Sequence, residues 1–275
     1  MRRRDGLSLR GMPYAEVRGL RLYFEEHGAG PTLIVAHGLL GSVATATVMN
    51  ASKLAARGLR VIAYDARGHG LSEYSRRGED YSWAAHAEDL DGLMNALGIA
   101  RAAICGTSMG AGVALMLALN QPHRIERLIL RAPPPFAEDL GAARRQMGLL
   151  STLCRYLGVS LTARIVGMLS SNADHARMMA AQRREAMLPA IRGLLFDGAQ
   201  LPIERLKEIQ APTLILTHPN DAMHPLRSGK LIRDRVPGAT LHVADSAQYW
   251  PEHIDEFCDR VASFVKAAPA SMDDR

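Results

Sequence analysis

Cysteine is scarce in this chain. Three cysteines, Cys105, Cys154 and Cys258, are spread over 275 residues with no metal-ligand spacing between them. That excludes a disulfide scaffold or a cysteine-built metal centre as the organising feature, and reduced thiols in a cytoplasmic protein are the expected state. Long hydrophobic runs are missing too: none reaches the roughly 18 residues that a membrane span requires. The N-terminus has the positive charges of a signal peptide but no apolar stretch behind them, so secretion by that route is not expected. The net charge of +5 comes from scattered arginines, and Arg2-Arg3-Arg4 is the one tight basic cluster. It reads as a solvated tail and is too short to argue for nucleic acid. No internal repeat is evident. What remains, with 48% apolar and 22% charged residues, is the composition of an ordinary globular enzyme. The length suits one large α/β domain or a core carrying an inserted lid.

The richest stretch is Gly106-Thr107-Ser108-Met109-Gly110-Ala111-Gly112. The apolar run Ala102 to Cys105 leads into it, and a second, Val113 to Leu119, leads out. A strand, a sharp turn and a helix would set Ser108 at the apex in strained backbone geometry, with small residues needed two positions to either side. Gly106 and Gly110 meet that need, and Gly112 is expected to let the helix pack closely on the sheet. Ser108 is then a candidate nucleophile. The Met109 N–H, at the helix N-terminus, is a candidate oxyanion donor.

In chain order, Tyr14 to Glu26 reads as an antiparallel hairpin turning at Arg18-Gly19. Leu33 to Ala36 is a continuous apolar run of the kind a strand covered on both faces needs. It leaves into His37-Gly38-Leu39-Leu40-Gly41-Ser42, where the Leu39 N–H is a second candidate oxyanion donor. A helix is expected over Val48 to Ala56, a strand over Leu59 to Tyr64, and a helix over Tyr81 to Leu97. Leu128 to Leu130 makes a further strand. From 136 to 205 strand signals stop and the pattern is helical, with Met147, Met168, Met178, Met179 and Met187 expected mainly as core of an inserted cap. Strands resume at Pro212 to Thr217 and Thr240 to Ala244, separated by a helix over Leu226 to Arg235. An amphipathic helix over Pro251 to Ala267 and a mobile tail from Pro269 close the chain. Strands alternating with helices argue a mostly parallel sheet with its site at the strand C-termini.

Together, His37-Gly38-x-x-Gly41-Ser42, Asp65-x-Arg67-Gly68-His69-Gly70-x-Ser72, Gly106-x-Ser108-x-Gly110 and Asp221 resemble the α/β-hydrolase superfamily over almost the whole chain. The resemblance implies an eight-stranded, mostly parallel sheet. Residues 1–135 and 206–275 would form the core, and 136–205 a helical cap after the sixth strand. It further implies Ser108 as nucleophile and Asp221, after the seventh strand, as the acid that orients a histidine. The superfamily's Gly-His-x-Pro pattern after the eighth strand falls on Gln248-Tyr249-Trp250-Pro251, which puts Tyr249 where the base should be. A tyrosine, with a pKa near 10, makes a poor base at neutral pH.

Of the ten histidines, His37 is expected to order the oxyanion loop, and His27, His69 and His123 to be structural or at the surface. His86 is expected on an exposed helix face, His175 in the cap, His242 within a strand and His253 at the surface. His218 and His224 flank Asp221. His224, three residues after the acid and stiffened by Pro225, is the better candidate of the two for a displaced base, although a structural role is the reading preferred for it. Two functions fit. In one, a cytoplasmic serine hydrolase acts on a small, apolar ester, thioester or other acyl compound without cofactor or metal. In the other, the same fold binds a ligand or catalyses proton transfer, cyclisation or C–C chemistry without acylating Ser108. The absent histidine favours the second reading. The intact elbow and Asp221 favour the first, which is preferred.

Overall fold

A computed structural model describes residues 14–45, 49–169, 173–197 and 200–268. Eight strands form one sheet in the order β1-β2-β4-β3-β5-β6-β7-β8. These are β1 (Tyr14–Val17), β2 (Leu20–His27), β3 (Thr32–Ala36), β4 (Arg60–Tyr64), β5 (Ala102–Thr107), β6 (Ile125–Arg131), β7 (Thr213–Thr217) and β8 (Thr240–Val243). The β1–β2 hairpin turns through left-handed Arg18 (φ 51°) and Gly19 (φ 80°), the geometry that a tight hairpin loop demands. β2 meets β4 antiparallel, and every later pairing is parallel.

The unbroken apolar runs follow from two buried faces. On β3, Ile34 and Ala36 face one core with Leu128 and Leu130 of β6, while Leu33 and Val35 face the other with Val61 and Ala63 of β4. The first face carries α2 (Trp83–Ala96) and α3 (Met109–Asn120), and the second carries α1 (Ala51–Ala55) and the closing α10 (Ile254–Lys266). Asn50 caps α1 by accepting from Lys53 N at 2.9 Å. The expected start of that helix at Val48 lies outside the described residues, as do the Arg2-Arg3-Arg4 cluster and the tail from Pro269.

Between β6 and β7 come α4 (Leu140–Leu157), α5 (Val159–Leu169), α6 (Ala173–Ala180) and α7 (Arg184–Arg192), followed by one wide helical turn over Gly193–Asp197. No described residue of this insertion is in a strand. Its inner stripe on α4, Leu140, Ala143, Met147, Leu150 and Cys154, repeats at three and four residues, as a helix with one buried face must. Met147, Met179 and Met187 are buried in its core, whereas Met168 is exposed. After β7 follow α8 (Leu226–Arg235) and, beyond β8, the single turn α9 (Tyr249–Glu252).

Two expectations are corrected. His86 is buried, not exposed: its ring lies 5.9 Å from that of Tyr81, and its Nδ1 meets Ser82 O at 3.1 Å. Gly112 accommodates another helix rather than the sheet: a Cβ there would sit 2.4 Å from the Trp83 ring of α2. All three cysteines are free and buried. Among the described residues no helix is long and apolar enough to cross a membrane.

Candidate active site

Ser108 stands between β5 and α3 with φ 51° and ψ −110°. This region is strained for a residue with a side chain, at a cost of about 1–3 kcal/mol. What holds it there is close packing on both flanks. A Cβ on Gly106 would lie 2.3 Å from Gly110 O, and one on Gly110 would lie 2.1 Å from Ala36 O. The backbone is pinned as well: Ser108 N donates to Arg131 O at 3.0 Å, and Gly110 N to His37 O at 3.1 Å. The hydroxyl thus projects from the C-terminal edge of the sheet.

Its partner comes from the loop after β7. His224 Nε2 lies 2.8 Å from Ser108 Oγ, and His224 Nδ1 lies 2.8 Å from Asp221 Oδ2. An ionised carboxylate only accepts, so Nδ1 carries the proton and Nε2 presents its lone pair to the serine O–H. Burial alone would raise the Asp221 pKa. Hydrogen bonds from His218, His224 and the Met223 N–H outweigh it and hold the acid well below the usual carboxylate range.

The oxyanion side is built by locked peptides. Gly38 O accepts from Gly41 N and from His37 Nδ1, both at 2.8 Å. His37 Nε2 in turn accepts from Ala66 N at 3.0 Å. Because the peptide is trans, fixing the Gly38 carbonyl turns the Leu39 N–H the opposite way. A Cβ on Gly38 would lie 3.5 Å from Ser108 Cβ, which is how closely that peptide approaches the serine. Leu39 O is held by His69 Nε2, and Leu40 O accepts from Gln182 Nε2 of the insertion at 2.8 Å. Met109 opens α3, so its N–H has no acceptor within the helix. Burial pushes His37 and His69 down to about 4, leaving both rings neutral at neutral pH.

The structure therefore brings Ser108, Asp221 and His224 together, with Leu39 and Met109 close by. It does not bring Tyr249 to them. The Tyr249 hydroxyl donates to Glu256 Oε2 at 2.8 Å, and its ring stacks on His253 with centroids 4.3 Å apart. No hydrogen bond among the described residues joins it to Asp221, whose carboxylate is met by His218, Met223 N and His224 of its own loop. Two neighbours have no role assigned to them by the sequence. His218, passed over in favour of His224, is buried and meets Asp221 Oδ2 through Nε2 at 3.1 Å. Arg131 ends β6 beside the acid, where burial pushes its guanidinium down to about 10. The sole signal for Arg131 was a cation closing the apolar run Leu128 to Leu130. No cluster of metal-ligating side chains occurs among the described residues.

A sequence model of the alpha/beta hydrolase fold matches residues 31–256, most of the chain, and the chain belongs to that family. It is 29% identical over 269 residues to a 2-hydroxymuconate semialdehyde hydrolase of a Pseudomonas species, covering 92% of this chain and 93% of that one. A 2-hydroxy-6-oxononadienedioate/2-hydroxy-6-oxononatrienedioate hydrolase of Comamonas testosteroni is 28% identical, with coverages of 86% and 88%. Among solved structures, the enol-lactonase of Burkholderia xenovorans superposes with a TM-score of 0.78 at 23% identity, over 93% of this chain and all (100%) of that one. With hydrolases as its relatives, the chain is an enzyme of the hydrolase class.

Proposed function

We propose that this enzyme is a serine hydrolase of small acyl compounds, with Ser108 as nucleophile, His224 as general base and Asp221 as the acid that orients it. The observation that carries the reading is the 2.8 Å approach of His224 Nε2 to Ser108 Oγ. A serine hydroxyl is a weak nucleophile until a base is aligned to take its proton. In the first step Ser108 Oγ bonds to the acyl carbon while its proton passes to His224 Nε2. The electron pair displaced onto the carbonyl oxygen is met by the Leu39 and Met109 N–H groups. The leaving oxygen or sulfur departs with the proton from His224, and the acyl group stays on Ser108. Water, deprotonated by the same nitrogen, then releases the acid and restores the serine. Asp221 stays ionised throughout and stabilises the imidazolium.

The relatives named as hydrolases of semialdehydes and oxo-dienedioates, and the lactonase among the structural neighbours, support a small acyl or oxo-acid substrate rather than a polymer. The non-hydrolytic alternative drew its strength from the lack of an aligned base, and His224 supplies one. The test is labelling with a fluorophosphonate and mapping of the modified peptide. Modification of Ser108 in the parent, abolished in His224→Ala, is expected. Failure to label folded parent protein would remove the assignment.

A further inference from the structure

The loop that carries the acid and the base carries a second histidine that the acyl-transfer steps do not use. Asp221 and His224 are three residues apart, so both ride on one short connection instead of on two separate strand ends. Such an arrangement needs something to tie it to the sheet. The described contacts around Asp221 supply the tie. Oδ1 accepts from Met223 N at 2.8 Å and His224 N at 3.1 Å, which ties the carboxylate to the base's own backbone. Oδ2 accepts from His224 Nδ1 at 2.8 Å and from His218 Nε2 at 3.1 Å.

His218 differs from the other donors in where it is anchored. It directly follows β7, and its side chain is 5% exposed, against 22% for Asp221 and 23% for His224. Pro219 and left-handed Asn220 (φ 61°) bend the chain between residues 218 and 221, whose side chains meet through the Nε2–Oδ2 contact. The turn therefore folds the acid back onto a ring packed at the end of the sheet.

Resting on the Ser108–His224–Asp221 reading above, we infer that His218 is a positioning residue whose Nε2–H clamps Asp221, and through it holds His224 on the Ser108 hydroxyl. The clamp has an electronic side as well. Two imidazole donors share Oδ2, so withdrawing one leaves more of the carboxylate's charge to act on His224. The charged and titratable groups that bear on this carboxylate are His218 and His224 on its own loop and Arg131 from the end of β6.

The test compares His218→Phe, which fills the space but cannot donate, with His218→Gln, whose amide N–H can. Fluorophosphonate labelling of Ser108 and p-nitrophenyl acetate turnover are followed from pH 5 to 9, with melting temperature as the folding control. His218→Phe is expected to lower kcat and the labelling rate by about 10²-fold, the penalty for a catalytic group misplaced by an ångström, with KM unchanged. The acid limb of the kcat profile should move to higher pH, because His224 then faces a more basic carboxylate. His218→Gln should recover most of the rate. Parent-like rates and an unmoved pH profile in His218→Phe would overturn the clamp. Equal impairment of both variants, in step with lost melting temperature, would reduce His218 to a packing residue and overturn it too. Labelling that persists in His224→Ala but vanishes in His218→Phe would make His218 the base, which sinks the underlying triad and this inference with it.

Discussion

The loops after β7 and β8 end side by side at the same sheet edge, yet they have opposite characters. In the β7 loop, His218 is buried and Asp221 and His224 are largely covered, with four hydrogen bonds converging on one carboxylate. In the β8 loop, Asp245, Ser246, Ala247 and Gln248, which follow buried Ala244, are all exposed, and the next side chain to pack inward fully is Trp250. The family resemblance directs attention to the second loop for the base, and the geometry assembles a base on the first. The difference teaches that acyl transfer needs an imidazole nitrogen within reach of the serine and a carboxylate behind it, not a histidine at a particular strand end. On the proposed assignment, acid and base share one turn, and the eighth strand's loop has no part in the acyl transfer.

The sharpest way to break this comparison is His224→Ala. Hydrolysis of an activated ester should fall by about 10⁴–10⁶-fold, since members of such a unit fail together. Retained turnover would return the base to another loop. Asp221→Asn should cost less, about 10²–10⁴-fold in kcat, because the ring loses its orienting charge while the serine, base and oxyanion donors remain. Stopped-flow measurement of the acylation burst would distinguish slowed acylation from slowed release.

Acid sensitivity separates the β7 loop from the scaffold around it. Burial first, in each case, lowers His37, His69 and His86 to about 4 from the ordinary 6.5, so all three are neutral in the fold. Between pH 6.5 and 4 the unfolded chain binds protons that the native state refuses. Their stabilisation is therefore complete above about 6.5 and declines as the pH falls toward 4, by on the order of 3 kcal/mol for one such group. Asp221 is depressed as well, and its contribution is lost only as the pH falls below the ordinary carboxylate range. Urea titrations at pH 7.5, 5.5 and 4.5 should show midpoints dropping in the parent and equally in His224→Ala. A drop confined to the parent would place the sensitivity in the β7 loop.

The smallest expected effect is the most direct contrast between the loops. Tyr249→His, which would restore activity if position 249 faced Ser108, should change the ester rate within about twofold, as a surface substitution does. Its side chain is turned to Glu256 and His253. A gain of about 10² or more, of the size a positioned base provides, would reinstate the β8 loop as the seat of the base.

Much of this molecule was legible because its constraints are local. An apolar run long enough for one strand and bounded by glycine states its own burial, and alternation of such runs with helical patterns states a parallel sheet. The elbow was legible for the same reason. Gly106 and Gly110 lie two residues from Ser108; the contact that forbids a side chain at Gly106 comes from the turn itself, and the one at Gly110 from Ala36 of the neighbouring β3. The helical insertion after β6 announced itself by the loss of strand patterning. Where the reading failed, a neighbour from elsewhere in the chain decided. His86 looks exposed on its own helix until the Tyr81 ring packs beside it, and Gly112 finds Trp83 against it instead of a strand.

The base belongs to the same class. Sequence alone determined the fold, and it singled out Ser108 and Asp221 as candidates, since each rests on short-range patterns that the backbone must obey. It also narrowed the base to two histidines on one loop. Which of them reaches Ser108 was decided only in three dimensions, by a turn through Asn220 that folds Asp221 toward His218 and leaves His224 facing a serine 116 residues away in sequence. Hydrogen bonds act over about 3 Å of space whatever the separation along the chain, so no spacing in the sequence encodes that choice.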